Sequence, residues 1–178
     1  MESSGGIFYN SAKGGCVEHI DCRGNYRLFF LLEGRVCLEG TGYGKHPLCG
    51  KEFILLPAGT FIACRAAEHS RYAVLNCTGL KCMSNVSYLE ELRGHAGGTV
   101  PPYVALPIRG RLDMVLDSFS VYSEHTRHRT IYDVVFILLR LLYSPEEMLL
   151  LLRPVLSEDN NGNMNRDKRI CHETVGPF

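Results

Sequence analysis

Tyr26-Arg27-Leu28-Phe29-Phe30-Leu31-Leu32-Glu33-Gly34-Arg35-Val36-Cys37-Leu38-Glu39 is the stretch on which the fold of the first half turns. A short aromatic and aliphatic run leads into Glu33-Gly34, which predicts a two-residue hairpin loop with glycine supplying positive φ. Arg35 to Glu39 then alternates polar and apolar, the period of a half-buried strand. Outward from this stretch the pattern repeats. Gly40-Thr41-Gly42-Tyr43-Gly44 is turn-rich, and Phe53-Ile54-Leu55-Leu56 is an apolar run stopped by Pro57-Ala58-Gly59. Thr60 to Cys64 and Arg71 to Cys77 complete the set. Short strands separated by Gly and Pro signals predict a barrel or sandwich.

Gly94 to Pro107, with Gly97-Gly98 and Pro101-Pro102, reads as a connection carrying an edge strand at Tyr103 to Leu106. Beyond it the period becomes helical. Leu112, Val115, Leu116 and Phe119 fall at i, i+3, i+4 and i+7. A second helix is predicted from about Arg129 to Tyr143; Asp133 and Arg140 form its one narrow polar stripe. A helix so apolar is covered on most sides, here by the barrel and by a second subunit. Val134, Leu138, Leu141 and Leu142 are the expected contacts of that homodimer. Ser144-Pro145-Glu146-Glu147 opens a third helix with a capping box and Pro at the first helical position, and Pro154 is expected to end it. Ser157 to Phe178 is rich in Asn, Asp and Arg without periodicity, and disorder is expected there. The division is therefore 1–106 barrel, 107–156 helical dimerisation region and 157–178 polar tail.

The 178 residues suit one domain with a small appendage and can bury a sizeable core. Lys and Arg number 19, as do Asp and Glu, so the basic surplus of a nucleic-acid-binding domain is absent. Arg127-His128-Arg129 and Arg166-Asp167-Lys168-Arg169 are short enough to read as solvated faces or tail. The eight cysteines lack a C-x-x-C spacing, and several sit in strand-like runs, as in Val36-Cys37-Leu38 and Ile62-Ala63-Cys64. With no basic, apolar leader at Met1 to Gly6, they read as small buried hydrophobes in a reducing cytoplasm. The apolar stretch Val134 to Leu152 is broken by Arg140 and Ser144-Pro145-Glu146-Glu147, so it falls short of the roughly 18 residues a membrane span needs.

Two segments carry a family resemblance. Leu31-Leu32-Glu33-Gly34-Arg35-Val36, followed by Gly50-Lys51-Glu52-Phe53-Ile54-Leu55-Leu56-Pro57-Ala58-Gly59-Thr60, resembles the strand, turn and Gly…Pro-x-Gly pattern of the cupin superfamily. Leu106-Pro107-Ile108-Arg109-Gly110-Arg111-Leu112, the leucine-rich helix and Arg153-Pro154-Val155-Leu156-Ser157-Glu158-Asp159 extend the likeness. Together, over roughly residues 20 to 159, they resemble the N-terminal regulatory half of AraC-type bacterial transcription regulators. The resemblance implies a β-rich α+β fold: a cupin-like (jelly-roll or double-stranded β-helix) barrel followed by two to three C-terminal helices. It implies a barrel that holds a small effector and helices that pair two chains. The departure from that family is the helix-turn-helix half. The residues after Asp159 do not supply two packed helices, so this chain alone is expected not to bind DNA.

Metal-dependent cupins place His-x-His, then Glu, then a later His after Pro-x-Gly. Anchored on Gly34 and Pro57-x-Gly59, those positions fall near Ile20, Cys22, Arg27 and Ile62. Isoleucine has no lone pair to give, arginine is a fixed cation, and one thiol is not a site. No metal, no cofactor and no catalytic residue is expected. His125-x-x-His128, flanked by Arg127 and Arg129, reads as surface; His46 and His69 read as solvent-exposed turns; Cys77 and Cys82 read as plain thiols. The expected ligand site is the barrel interior. Tyr26, Leu28 and Phe30 are assigned to one inward face, with Val36 and Leu38 opposite and Phe61 and Tyr72 as aromatic walls. The competing readings are a small non-metal cupin enzyme of the sugar isomerase or epimerase kind, and a purely structural dimerisation module with a filled barrel.

Overall fold

Gly34 decides the first corner. Its φ is 90°, and a Cβ there would lie 2.5 Å from the His69 carbonyl oxygen, so only glycine fits. In the computed structural model the chain is described at residues 6–77, 88, 90–92, 103–122 and 128–156, with side chains undescribed at 122 and 128–130. The expected tail at 157–178, together with His125, Cys82 and Cys171, lies outside the described residues.

Eight strands precede the helices: β1 (Ile7–Ala12), β2 (Val17–Asp21), β3 (Arg27–Glu33), β4 (Arg35–Gly40), β5 (Gly44–Cys49), β6 (Glu52–Leu56), β7 (Phe61–Ala66) and β8 (Ser70–Asn76). A short β9 (Leu106–Pro107) follows. One sheet runs β1-β8-β3-β6-β9 and the other β2-β7-β4-β5, and the ladders are antiparallel throughout. Apart from the β4–β5 hairpin, strands β1 to β8 alternate between two facing sheets, which is the jelly-roll arrangement shared by cupins, lectin domains and capsid domains. This establishes the predicted cupin-like barrel as an architecture.

Glu33-Gly34 is not the hairpin loop the sequence predicts. β3 pairs with β6 and β8, whereas β4 pairs with β5 and β7. The left-handed glycine throws the chain from one sheet to the other, and its carbonyl accepts the Gly50 N–H at 3.2 Å. The true hairpin lies at Gly40 to Gly44, closed by the Tyr43 N–H donating to the Gly40 carbonyl at 3.1 Å. The expected edge strand at Tyr103 to Leu106 is smaller than anticipated: only Leu106 and Pro107 pair, against Phe53 and Glu52.

Among the described residues, three helices of eleven residues or more pack on the outer face of the five-stranded sheet, α1 (Leu112–Tyr122), α2 (His128–Leu142) and α3 (145–156), and helical residues at 88 and 90–92 add Tyr88 and Leu92 to the same layer. The capping box forms: the Glu147 N–H donates to Ser144 Oγ at 3.2 Å, and the Ser144 N–H donates to Glu147 Oε2 at 3.0 Å. Pro154 does not end α3. Helix continues to 156 because Val155 and Leu156, 2 % and 3 % exposed, anchor the last turn in the core.

Two apolar clusters result. The inner one fills the barrel with Phe29, Leu31, Val36, Leu38, Ile54, Leu56, Ile62, Cys64, Tyr72 and Val74. The outer one joins Leu28, Phe30, Leu32, Phe53 and Leu55 of the sheet to Leu116, Val135, Phe136, Leu139 and Leu151 of the helices. Each fully buried aliphatic or aromatic side chain contributes about 1.5–3 kcal/mol. Most of the helical layer's stability comes from this second cluster rather than from helix propensity.

Candidate functional site

The barrel interior is built in layers, because strand side chains alternate in and out. On β3, Arg27, Phe29 and Leu31 share a register row with Asn76, Val74 and Tyr72 of β8, and these face inward. Tyr26, Leu28 and Phe30 were assigned inward from the sequence; this is corrected. They sit on the opposite face, packed against the helices. The parity of an apolar run cannot be read when both faces of the strand are buried. Phe61 is also corrected: it is 46 % exposed on the outer face of the four-stranded sheet, with the Arg23 guanidinium over its ring at 4.5 Å. Val36, Leu38 and Tyr72 do line the interior.

One interior layer is polar. The Tyr72 hydroxyl donates to Glu18 Oε2 at 2.8 Å and accepts from Asn10 Nδ2 at 3.0 Å; Asn10 Nδ2 also reaches Glu18. Burial, then the Glu18 carboxylate, raises the Tyr72 pKa, so the phenol stays neutral. The Cys64 thiol, cross-strand from Glu18, is pushed up to about 12 by burial and by that carboxylate. Asn10 and Glu18 lie on β1 and β2, elements for which the sequence reading had no prediction. Neither Ile7-Phe8-Tyr9-Asn10-Ser11-Ala12 nor Val17-Glu18-His19-Ile20-Asp21 alternates polar and apolar strongly enough to announce a strand.

Another layer closes the opposite end. Arg27 and Asn76 are cross-strand partners on the interior face. Arg27 Nε and Asn76 Oδ1 are both buried without a hydrogen-bond partner. Each such group costs about 1–3 kcal/mol relative to a satisfied one, so the pair is a destabilising feature held by its surroundings. Phe8 flanks it, with the guanidinium 5.7 Å from its ring centroid. Cys22 lies close by: burial raises its thiol to about 12 while the Arg27 charge pulls it down.

The four positions that align with cupin metal ligands can now be placed. Ile20 and Ile62 face each other across the β2–β7 ladder in the inner cluster, and Cys22 is fully buried in it. With Arg27 as the fourth member, these residues do not fit a metal cation. Among the described residues, no three His, Cys, Asp or Glu side chains group as metal ligands. His46 is half-buried, its Nε2 2.8 Å from the Tyr43 carbonyl and its ring 4.2 Å from the Tyr43 ring. It is a structural contact of the β4–β5 hairpin rather than a free base.

Two surface hollows stand out among the described residues. A cleft of about 630 Å³ is lined by Arg35, Cys37, Pro47, Cys49, Glu52 and Arg65, among others. A smaller groove of about 260 Å³ is lined by Tyr88, Ile137, Arg140, Leu141, Tyr143 and Pro145. On α2 the predicted dimer contacts divide. Val134, Leu138 and Leu142 are half-buried, the last two against the outer cluster, while Leu141 is 76 % exposed. Ile137, one turn before Leu141 and 55 % exposed, was not singled out from sequence. No helix among the described residues is long and apolar enough to cross a membrane.

No protein-family model and no curated protein matches this chain. Solved structures of similar shape include a cupin-2 domain protein from Shewanella frigidimarina, 14 % identical over 39 % of this chain with a TM-score of 0.34. A cupin 2 conserved barrel protein from Salinispora arenicola is 17 % identical over 42 % of the chain, TM-score 0.36. An ethanolamine utilization protein from Salmonella typhimurium is 11 % identical over 39 %, TM-score 0.35. The matches span 67 %, 64 % and 55 % of those structures respectively. The fold assignment itself rests on the strand order given above.

Proposed function

We propose that this chain is a ligand-sensing and dimerisation module of an AraC-like transcription regulator, that it is not an enzyme, and that it does not bind DNA by itself. The observation that carries this reading is the single apolar cluster that runs from the five-stranded sheet into all three helices. β3 contributes one face to the barrel interior, where this reading puts the ligand, and the other to the helical layer. A change inside the barrel is therefore one strand away from α2, whose exposed Ile137 and Leu141 form the pairing stripe with Val134. Closely packed layers shift as units, which makes such a strand a suitable coupling element.

Sedimentation equilibrium tests the assembly. The wild-type chain is expected to be a homodimer, and Ile137→Asp with Leu141→Asp a folded monomer. A wild-type monomer at all concentrations overturns the reading. Co-purification with a full-length regulator would extend it to mixed dimers; a strictly homomeric species in cells would count against that extension.

The polar layer of Asn10, Glu18 and Tyr72 favours a second reading, a small non-metal sugar isomerase or epimerase. Such an enzyme needs an acid and a base inside the barrel. Here the phenol proton is already given to Glu18 Oε2, which holds the pair in one arrangement rather than presenting a separate acid and base. Turnover in a sugar activity screen, lost in Glu18→Gln, would establish the enzyme instead.

A further inference from the structure

We infer that Cys49 is a modification site, forming a mixed disulfide with a small zwitterionic thiol peptide of the glutathione class whose carboxylate seats on the Arg65 guanidinium. The site lies on the outer face of the four-stranded sheet, away from the helices, so it stands apart from the regulatory reading. That face is a grid fixed by register. Arg65, Cys37 and Pro47 form one cross-strand row, and Arg35 and Cys49 belong to the next. Val36, Leu38, Leu48 and Ala66 point the other way, into the barrel. Cysteine and proline are short and arginine is long, so the surface sinks between two guanidiniums. The result is the cleft of about 630 Å³ described above, which Gly15 and Ala67 extend. Its volume falls within the roughly 300–1,000 Å³ of small-molecule sites.

The lining dictates the ligand. Cys49 is an exposed free thiol, whereas Cys37 is half-buried. Arg35, opposite Cys49, is held by Glu68 through Nε at 3.1 Å and Nη2 at 3.4 Å. Arg65 has no hydrogen-bond or ion-pair partner among the described residues, so it is the cation open to a ligand carboxylate. Glu52 adds one carboxylate to the wall; it accepts the Cys49 N–H at 2.8 Å and fixes the backbone there. A ligand bearing only carboxylates is repelled by Glu52, whereas one that also carries an ammonium complements both charges. β5 and β7 flank β4, and one two-residue step separates the rows, so Cys49 and Arg65 stand roughly 12 Å apart at the backbone. A tripeptide spans at most about 10 Å, and the arginine side chain covers the rest.

The chemistry is thiol–disulfide exchange. The Cys49 thiolate attacks one sulfur of the peptide's disulfide. A bond forms between Cys49 Sγ and that sulfur, the peptide's own S–S bond breaks, and the departing thiolate takes up the proton that Cys49 released. The disulfide is itself the oxidant, so no other is consumed. Cys37 does not resolve the product. It is diagonal to Cys49 in the β4–β5 register, a relation that sets Cα atoms about 7–8 Å apart. A disulfide bridges no more than about 7 Å, so the mixed disulfide persists.

The test treats the reduced full chain with glutathione disulfide or with the uncharged disulfide of 2-mercaptoethanol, and reads each cysteine by peptide mass spectrometry. Cys16, exposed but not lining the cleft, is the internal reference. The rate ratio of Cys49 to Cys16 cancels the intrinsic reactivity of each reagent. That ratio is expected to be about fivefold higher with glutathione disulfide, the worth of one exposed ion pair. Arg65→Gln, a change at an exposed strand position, should bring the two ratios together. Equal ratios in the wild-type chain overturn the proposal whatever the variant does. A preference that survives Arg65→Gln overturns it as well, and so does a Cys37–Cys49 disulfide as the final product.

Discussion

The two sheets of the barrel are built from different kinds of strand. In the five-stranded sheet, Leu28 to Leu32, Phe53 to Leu56 and Tyr72 to Leu75 are buried without a break. In the four-stranded sheet, β4 reads exposed, buried, half-buried, buried, exposed, half-buried, and β7 alternates in the same way. The difference is the helical layer. A sheet covered on both faces has no solvent side and selects apolar residues at every position, whereas a sheet with one wet face alternates. The pattern along each strand thus records how many layers lie over it, and the five-stranded sheet is the one that packs against both the interior and the helices.

Core truncations should break this comparison most forcefully if it is wrong. Phe29 points into the barrel and stacks on Tyr72 at 4.8 Å; Phe30 points to the helices and stacks on Phe53 at 5.2 Å. Each is 0 % exposed. Phe29→Ala and Phe30→Ala should each cost about 3–5 kcal/mol in urea unfolding. A Phe30→Ala loss near that of a surface residue would mean the helices do not cover the sheet.

Alkaline titration sharpens the contrast through the thiols. Cys22 and Cys64 in the inner cluster and Cys77 in the outer one are each raised from about 9 to about 12, in every case chiefly by burial. The sign follows directly. The folded state keeps protons that the unfolded chain gives up, so this stability is whole below about pH 9 and is lost as pH rises toward 12. Each thiol contributes a slope on the order of 1 kcal/mol per pH unit in that window. Unfolding free energies measured between pH 8 and 11 should fall steeply, and Cys64→Ala should flatten the fall by one proton's worth. An unchanged slope in Cys64→Ala would place that thiol in contact with water.

The same contrast explains what could be read from sequence. The turn at Pro57 to Gly59, the helical period of Leu112 to Phe119 and the Ser144–Glu147 box each have a local physical cause, and each formed where expected, whereas Gly34 ends its strand as expected but crosses between sheets instead of closing a hairpin. The alternation of β4 gave Val36 and Leu38 their inward direction. Tyr26, Leu28 and Phe30 were turned the wrong way because a doubly buried strand carries no alternation, and a one-residue shift flips every side chain. β1, β2 and β5 escaped notice for a related reason. Their partial burial leaves sequences such as Val17-Glu18-His19-Ile20-Asp21 without a strong apolar period. The Arg27–Asn76 pair depends on a non-local register between β3 and β8, which no spacing in the sequence announces.

A smaller effect belongs to the helical layer. Ser144→Ala removes the hydroxyl that caps the Glu147 N–H and should cost about 0.5–2 kcal/mol. The expected loss is confined to α3, so hydrogen exchange should rise there first, ahead of the strands of either sheet. Uniform acceleration across the barrel would instead mean that α3 and the five-stranded sheet open as one unit, a stronger coupling than the layers alone require.

The smallest effect is expected on the wet face. Phe61 is large and aromatic like Phe30, but its ring is half in solvent and its one notable contact is the Arg23 guanidinium, itself 64 % exposed and paired with Asp21. An exposed cation–π contact is worth about 0.5–1 kcal/mol, so Phe61→Ala should cost no more than that in urea unfolding. The measurement is informative because chemistry and size are matched and only the covering layer differs. A cost near that of Phe30→Ala, appearing only at high protein concentration, would show that a second molecule covers this sheet as the helices cover the other. The pairing surface would then lie on the barrel, away from Ile137 and Leu141.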